Sequence, residues 1–288
     1  MGYSARYHAT SLIAVFLALA IGILIGAEFG GDALSNTRKD LEQSLTGNLQ
    51  DARQRADQLD GELGRANEFS SRVYPVLVRD RLRGRRIGLV AFGDLPGDVY
   101  GAIEGALAPA GGHLVGVGVV REPIDSRGLA GDLARTRFAR LAREPDLQTA
   151  LGTGLGRQIV RGGTLLEPVR GHLFSRASGN FGALDAVIVV RDEPQGMGPQ
   201  QRAVAGRIES GLLQGIGGTH TPAVGVESTH SEPSSVSFFV GNDLSSVDDV
   251  DLVAGRLATV FALLGAEGSF GVKGSADRLL PDLLEPHE

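Results

Sequence analysis

A run of nineteen residues without a single ionisable side chain, from Ala9 to Ala27, constrains this chain more than any other feature. At about 1.5 Å of rise per residue, a helix of that length reaches roughly 28 Å, close to the hydrocarbon thickness of a bilayer. Lipid offers the backbone no hydrogen bonds, so a helix is the form a single segment can take there. The run reads as a retained membrane anchor. A cleaved signal peptide is the other reading, since Ala18-Leu19-Ala20 has the small-x-small form of a cleavage site, but that triplet lies inside the apolar run with only a stub before it. Arg6 precedes the run, and Arg38 and Lys39 follow it, so counting charges does not orient it. A short tail ahead of a long polar portion is the layout of a signal anchor, which places the N-terminus in the cytoplasm and the bulk outside.

Within the run, Thr10, Ala14, Ala18, Gly22 and Gly26 recur every four residues. Such a row forms a ridge on a helix, and small residues along it let two backbones approach closely in lipid. Ala14, Ala18, Gly22 and Gly26 are therefore the expected helix-packing surface. A polar, charge-laced segment follows, in which Leu41, Leu45, Leu49, Ala52, Ala56, Leu59, Leu63 and Ala66 are spaced by threes and fours. That is the seam of a coiled coil, with one additional four-residue step near Leu45. Gly47, Gly61 and Gly64 and the alanines in the seam make it weak alone. Ridge and seam together predict a parallel homodimer, in which pairing in the membrane concentrates the stalks.

The remaining 200 or so residues suffice for one domain with its own core. Ile87-Gly88-Leu89-Val90-Ala91-Phe92, Leu114 to Val120 and Ala186-Val187-Ile188-Val189-Val190 read as buried strands, with a shorter one at Ala223 to Val226. Helical patterns lie between them at 98–110, 129–143, 145–161 and 199–214, and a last helix is expected at 249–264. Near-continuous apolar strands alternating with helices indicate a parallel sheet covered on both faces. Ser235 to Val240 reads as an edge strand. The expected class is thus α/β: a short tail over 1–8, a transmembrane helix over 9–27, a coiled-coil stalk with a basic collar over 31–83, and a doubly wound, mostly parallel, Rossmann-like domain over 84–288.

Chemistry is sparse. The net charge of −6 argues against nucleic acid as a partner, and the absence of Cys excludes disulfides, thiolate metal sites and Cys nucleophiles. The turn Gly93-Asp94-Leu95-Pro96-Gly97 lacks the dinucleotide spacing, and Gly152-Thr153-Gly154-Leu155-Gly156 has Arg157 where a third glycine would stand. There is no Walker loop and no nucleophile elbow, so no catalytic residue, no cofactor and no enzymatic activity is expected. His220, Glu227, His230 and Glu232 share one loop-rich stretch, where they could converge on a metal or simply be solvated. In Leu244-Ser245-Ser246-Val247-Asp248-Asp249-Val250-Asp251, Ser246 or Asp248 reads as the cap of the last helix.

The run Tyr7-His8-Ala9-Thr10-Ser11-Leu12, the coiled coil after it, and the late Leu244-Ser245-Ser246-Val247-Asp248-Asp249-Val250-Asp251 with Gly255-Arg256 resemble the actinobacterial MctB family of copper transport proteins. The resemblance runs almost end to end. It implies an actinobacterial envelope location, with the outer membrane as the family label's alternative to the cell membrane, and a role in copper efflux or homeostasis. Some similar proteins are instead described as membrane partners in cell division that work with a cytosolic protein. Copper itself is implied by the resemblance alone: with no Cys and two Met, the chain shows no soft-ligand motif for it.

Overall fold

The computed structural model describes residues 4–282; the first three residues of the expected N-terminal tail lie outside it. The chain divides into two compact units, Met1–Glu68 and Phe69–Glu288. Helix α1 spans Ser4–Val78. Its stretch His8–Ala27 is the one helix among the described residues long and apolar enough to cross a membrane. The globular unit begins before the expected boundary at Gly84, because Tyr74, Val78 and Leu82 are all buried in its core. Tyr74 donates its hydroxyl to the Ala106 carbonyl at 2.6 Å. The amide of Leu82, in the basic collar, donates to Ala110 O at 2.9 Å.

Seven strands form one sheet: β1 Arg86–Gly93, β2 His113–Val120, β3 Phe174–Gly179, β4 Ala186–Asp192, β5 Ala223–Val226, β6 Ser245–Val247 and β7 Ser269–Phe270. Their order is β3-β2-β1-β4-β5-β6-β7, and every pair is parallel except β2 with β3. Strand β1 is buried over six consecutive residues because helices cover both faces of the sheet. Its alternating side chains sort into two layers. Ile87, Leu89 and Ala91 pack with α2 (Gly97–Leu107), α8 (Val253–Ala262) and the end of α1. Val90 and Phe92 pack on the other side, beneath α4 (Pro145–Arg161), α5 (Leu166–Leu173) and α6 (Pro199–Gly217).

Helices α4 and α6 meet backbone to backbone. A Cβ on Gly152 would stand 2.4 Å from Ile208 O, and one on Gly156 would stand 2.1 Å from Leu212 O. Reciprocally, Gly211 and Gly215 lie against the carbonyls of Thr149 and Thr153. The glycine stretch that nearly matched a phosphate loop is therefore a helix-packing surface. Gly-x-x-x-Gly on both partners allows the close approach.

Three readings of the sequence are corrected by the fold. The expected edge strand at 235–240 is helix α7, Val236–Val240. Its Phe239 ring is fully buried against Gly225, where a Cβ would stand 2.2 Å from the ring. Tertiary packing overrides the β-propensity of Val-Ser-Phe-Phe-Val here. The expected helix at 129–143 is a short α3 at Ser126–Asp132 followed by a 3-10 turn at Arg137–Arg140. The edge strand on that side of the sheet is β3, whose five exposed residues leave no buried apolar run to mark it.

The third correction concerns Ser246 and Asp248, expected as caps. Ser246 lies in β6, with its hydroxyl 2.8 Å from that of Ser269. The residue preceding α8 is Leu252, which makes no side-chain cap.

Candidate functional site

In doubly wound sheets ligands bind at the carboxyl ends of the strands, where the strand order reverses. Here that point lies between β1 and β4. Strand β1 leads to α2 on one face, and β4 leads to α6 on the other. The two strand ends are close: Asp94 donates its amide to Asp192 O at 3.2 Å. Gly93 turns the chain there with φ at 81°, and a Cβ on it would meet that same carbonyl at 2.0 Å.

A cleft of about 280 Å³ opens at this edge, with Asp98, Asp192, Glu193, His230 and Glu232 among its lining residues. Burial, and then the Asp94 charge, raise the Asp192 carboxyl above its ordinary value. So acidic a rim suits a cationic occupant over an anionic one. Asp94 also stands at the start of α2, where a phosphate would otherwise be drawn; its carboxylate accepts instead from the Leu95 amide at 2.8 Å and from Arg176 at 3.3 Å.

The far wall of the cleft, residues 227–235, is held by side chains from distant segments. Glu227 is 2% exposed and fully engaged. It accepts from Ser234 Oγ at 2.7 Å, from the Ser235 amide at 2.6 Å and from Lys273 Nζ at 2.6 Å. Lys273 also donates to Ser231 O at 3.0 Å. Asp251 accepts from the amide and the hydroxyl of Thr229 at 2.8 and 2.6 Å. These bonds overcome its burial and lower its carboxyl below the ordinary value. Asp248 accepts from the amides of Val272 and Lys273. The acids that read as helix caps are therefore clamps, each fixing a loop.

Removing one partner of a buried pair leaves the other charge uncompensated. Lys273→Met should thus destabilise the protein by about 3–5 kcal/mol, and Glu227→Gln in the same chain should restore much of the loss. Thermal unfolding of the full chain in detergent measures both. A Lys273→Met melting point equal to that of the parent would show the pair to be dispensable.

The other residues singled out in the sequence are placed as follows. Glu227, His230 and Glu232 line one cleft, while His220 sits before β5, at the opposite end of that strand from Glu227. His230 is 88% exposed and lies 3.9 Å from Asp251. Among the described residues, no three His, Cys, Asp or Glu side chains are grouped to hold a metal. Ala14, Ala18, Gly22 and Gly26 are exposed on α1, and nothing lies within 4 Å of a Cβ built on either glycine. Of the residues of the expected seam, Leu41, Leu45, Leu49, Leu59 and Leu63 are 54–64% exposed; Ala52, Ala56 and Ala66 are exposed with them.

Sequence reading missed the buried polar group at Glu209. Glu209, 0% exposed, accepts from Arg191 Nε at 2.9 Å. Beside it, burial first and the Glu209 charge second push the Glu122 carboxyl well above its ordinary value. Arg191 also bonds Glu193 at 3.0 Å and lies over the Phe238 ring. An acid following the apolar Val119-Val120 of β2 was the available signal for Glu122.

Comparison with known proteins supplies the relationship. Residues 3–281 match the family described as "Copper transport outer membrane protein, MctB". Proteins named "Copper transporter MctB" from Mycobacterium tuberculosis and Mycobacterium bovis are 25% identical over 292 residues, covering 90% of this chain and 91% of theirs. The protein of that name from Mycobacterium leprae is 25% identical over 309 residues, with 93% and 96% covered. The match takes in the apolar helix, the rest of α1 and the whole sheet, and on that breadth the chain belongs to the MctB family.

Proposed function

We propose that this chain serves copper homeostasis as a single-pass, membrane-anchored, non-enzymatic component of the cell envelope, with its N-terminus inside and its α/β domain outside. The observation that carries the reading is the family match over residues 3–281, which includes anchor and domain together. The span His8–Ala27 serves as an anchor in this reading, because one helix cannot by itself line a pore. Copper passes through or is held by something else, and the domain at the end of the stalk recognises a partner or a cationic group at its acidic cleft. A strain lacking the chain tests this on a copper gradient. Copper tolerance should fall several-fold, and the intact chain should restore it. A copy carrying a cleavable signal in place of residues 9–27 should not. Unchanged copper tolerance in the deletion strain would sink the reading.

The ligand chemistry makes a further prediction. With no Cys and two Met, the chain lacks the thiolate and thioether donors that hold Cu(I) tightly. The purified full chain should bind Cu(I) no tighter than about micromolar, as read by competition with a Cu(I) chelator. Subnanomolar affinity would overturn this.

A second reading, an envelope scaffold for division or wall regulation, is favoured by one surface. A groove of about 330 Å³ runs beside the edge strand β3, lined by Leu95, Tyr100, Val117, Val119 and Ala177. An exposed edge strand beside an apolar groove suits an extended segment of a partner protein. A deletion strain that divides abnormally while tolerating copper normally would select this reading over the first.

A further inference from the structure

Two heptad series run along α1 from Leu45 to Leu77, and Pro75 lies at an exposed, outward position between them. One comprises Leu45, Ala52, Leu59, Ala66 and Val73; the other comprises Leu49, Ala56, Leu63, Ser70 and Leu77. Both therefore continue beyond Ala66 into the part of α1 that belongs to the globular unit. There one side of the helix is committed to the domain, since Tyr74 is 5% exposed and Val78 0%. The side that continues the seam is not. Phe69 is 68% exposed, Val76 63% and Leu77 42%, with Val73 half-buried between them.

The flank beside the seam changes character at the same point. At seven-residue spacing it carries Arg55, Glu62, Phe69 and Val76, so a charged flank becomes apolar on reaching the domain. Charged flanks are what a solvated coiled coil carries. An apolar one widens the contact stripe, and its cost in water is offset only when something covers it.

We propose that a second copy of this chain covers it. Two copies pair in parallel through α1, and the pairing extends onto the domain through Phe69, Val73, Val76 and Leu77. Two observations choose this occupant. A strict heptad repeat is matched by an identical helix in register. In that register the flank residue Arg55 of one copy meets Asp60 of the other, an attractive pair formed twice. Because the candidate span His8–Ala27 lies in the same helix, both copies enter the membrane from the same end, which selects the parallel arrangement. The consequence is a dimer in which the two domains are fixed to each other at their first helical turns. This inference is independent of the copper reading.

Disulfide crosslinking of the full chain in membranes tests it, and the absence of native Cys makes the test clean. Val73→Cys and Leu77→Cys should form same-site disulfide dimers with yields within about twofold of Leu59→Cys, whereas Glu68→Cys and Arg72→Cys, on other faces, should give less than about a tenth as much. Crosslinking at position 59 but not at 73 and 77 would end the seam in the stalk and overturn the proposal. Equal yields at all five positions, or none anywhere, would overturn it too. A second variant avoids the half-buried site. Phe69→Glu with Val76→Glu changes only exposed side chains, so the melting temperature of the domain should hold while the dimer dissociation constant in detergent rises at least about tenfold. An unchanged dissociation constant would also refute the extended contact.

Discussion

Gly156→Ala is expected to lower the melting temperature of the protein by about 6–12 °C, although it adds a single methyl group. The Cβ would stand 2.1 Å from Leu212 O and 2.9 Å from its carbonyl carbon. Both are backbone atoms, and no rotamer change can move them aside. Helices α4 and α6 would have to separate, opening the layer that Leu151, Leu155, Ile159, Ile208, Leu212 and Ile216 fill. Overpacking costs about 1–3 kcal/mol; against backbone that cannot yield, the upper end of about 3 kcal/mol applies, and each kcal/mol lowers the melting point of a domain this size by about 2–4 °C.

Two neighbouring glycines serve as controls. A Cβ on Gly154 meets only the end of the flexible Leu165 side chain, at 3.1 Å, and one on Gly206 meets nothing within 4 Å. Alanine at 206 should stabilise α6 by up to about 1 kcal/mol through helix propensity alone, and at 154 the same gain is offset by the small shift Leu165 must make. Circular dichroism melts of the three variants give the comparison. A Gly156→Ala curve that overlays the parent would mean that the helices are not held at backbone contact.

The same glycines show where the sequence was legible and where it was not. Strands β1, β2 and β4 announce themselves because burial on both faces demands unbroken apolar runs, and α4 was readable to its ends, Pro145 and Arg161. The partnership of α4 with α6 was hidden, because Gly152 and Gly156 acquire meaning only when Gly211 and Gly215 stand opposite. Strands β6 and β7, of three and two residues, carry too little pattern to register.

The cleft was half legible. Asp98 after the first strand and His230 and Glu232 in a loop are visible as polar residues near strand ends. Glu227 looked like a candidate ligand until the fold brought Lys273, 46 residues away in sequence, to its carboxylate. The acids 248, 249 and 251 invited a capping argument because an apolar helix follows them. Instead Asp248 holds the loop after β7 and Asp251 the loop after β5, an assignment that only the sheet order determines.

Asp249 is the member of that trio without a loop to hold, and its replacement should reshape the pH dependence of stability. It is 0% exposed, and neither carboxylate oxygen has a hydrogen-bonding partner among the described residues. Burial first, then the charges of Asp248 and Asp251, push its carboxyl from 3.8 to about 7. A folded-state value above the unfolded one means that the folded protein holds this proton more tightly. The contribution to stability is therefore complete below pH 3.8 and is lost progressively as pH rises to about 7. At about 1.4 kcal/mol per unit, the loss reaches an order of 4 kcal/mol. Glu122, raised in the same direction, prolongs the decline on the alkaline side.

Asp249→Asn removes the titration. Near pH 4 the variant should melt within about 2 °C of the parent, because both side chains are then largely neutral, and near pH 8.5 it should melt about 8–16 °C higher. Asp251→Asn should behave in the opposite sense. The Thr229 bonds lower that carboxyl, so the stability it contributes is present at neutral pH and fades as pH falls through its folded-state value. Its variant should thus be destabilised at neutral pH and converge with the parent in acid. If the Asp249→Asn offset were the same at both pH values, the buried carboxyl would be ionised throughout, and a cation or donor would have to be sought beside it.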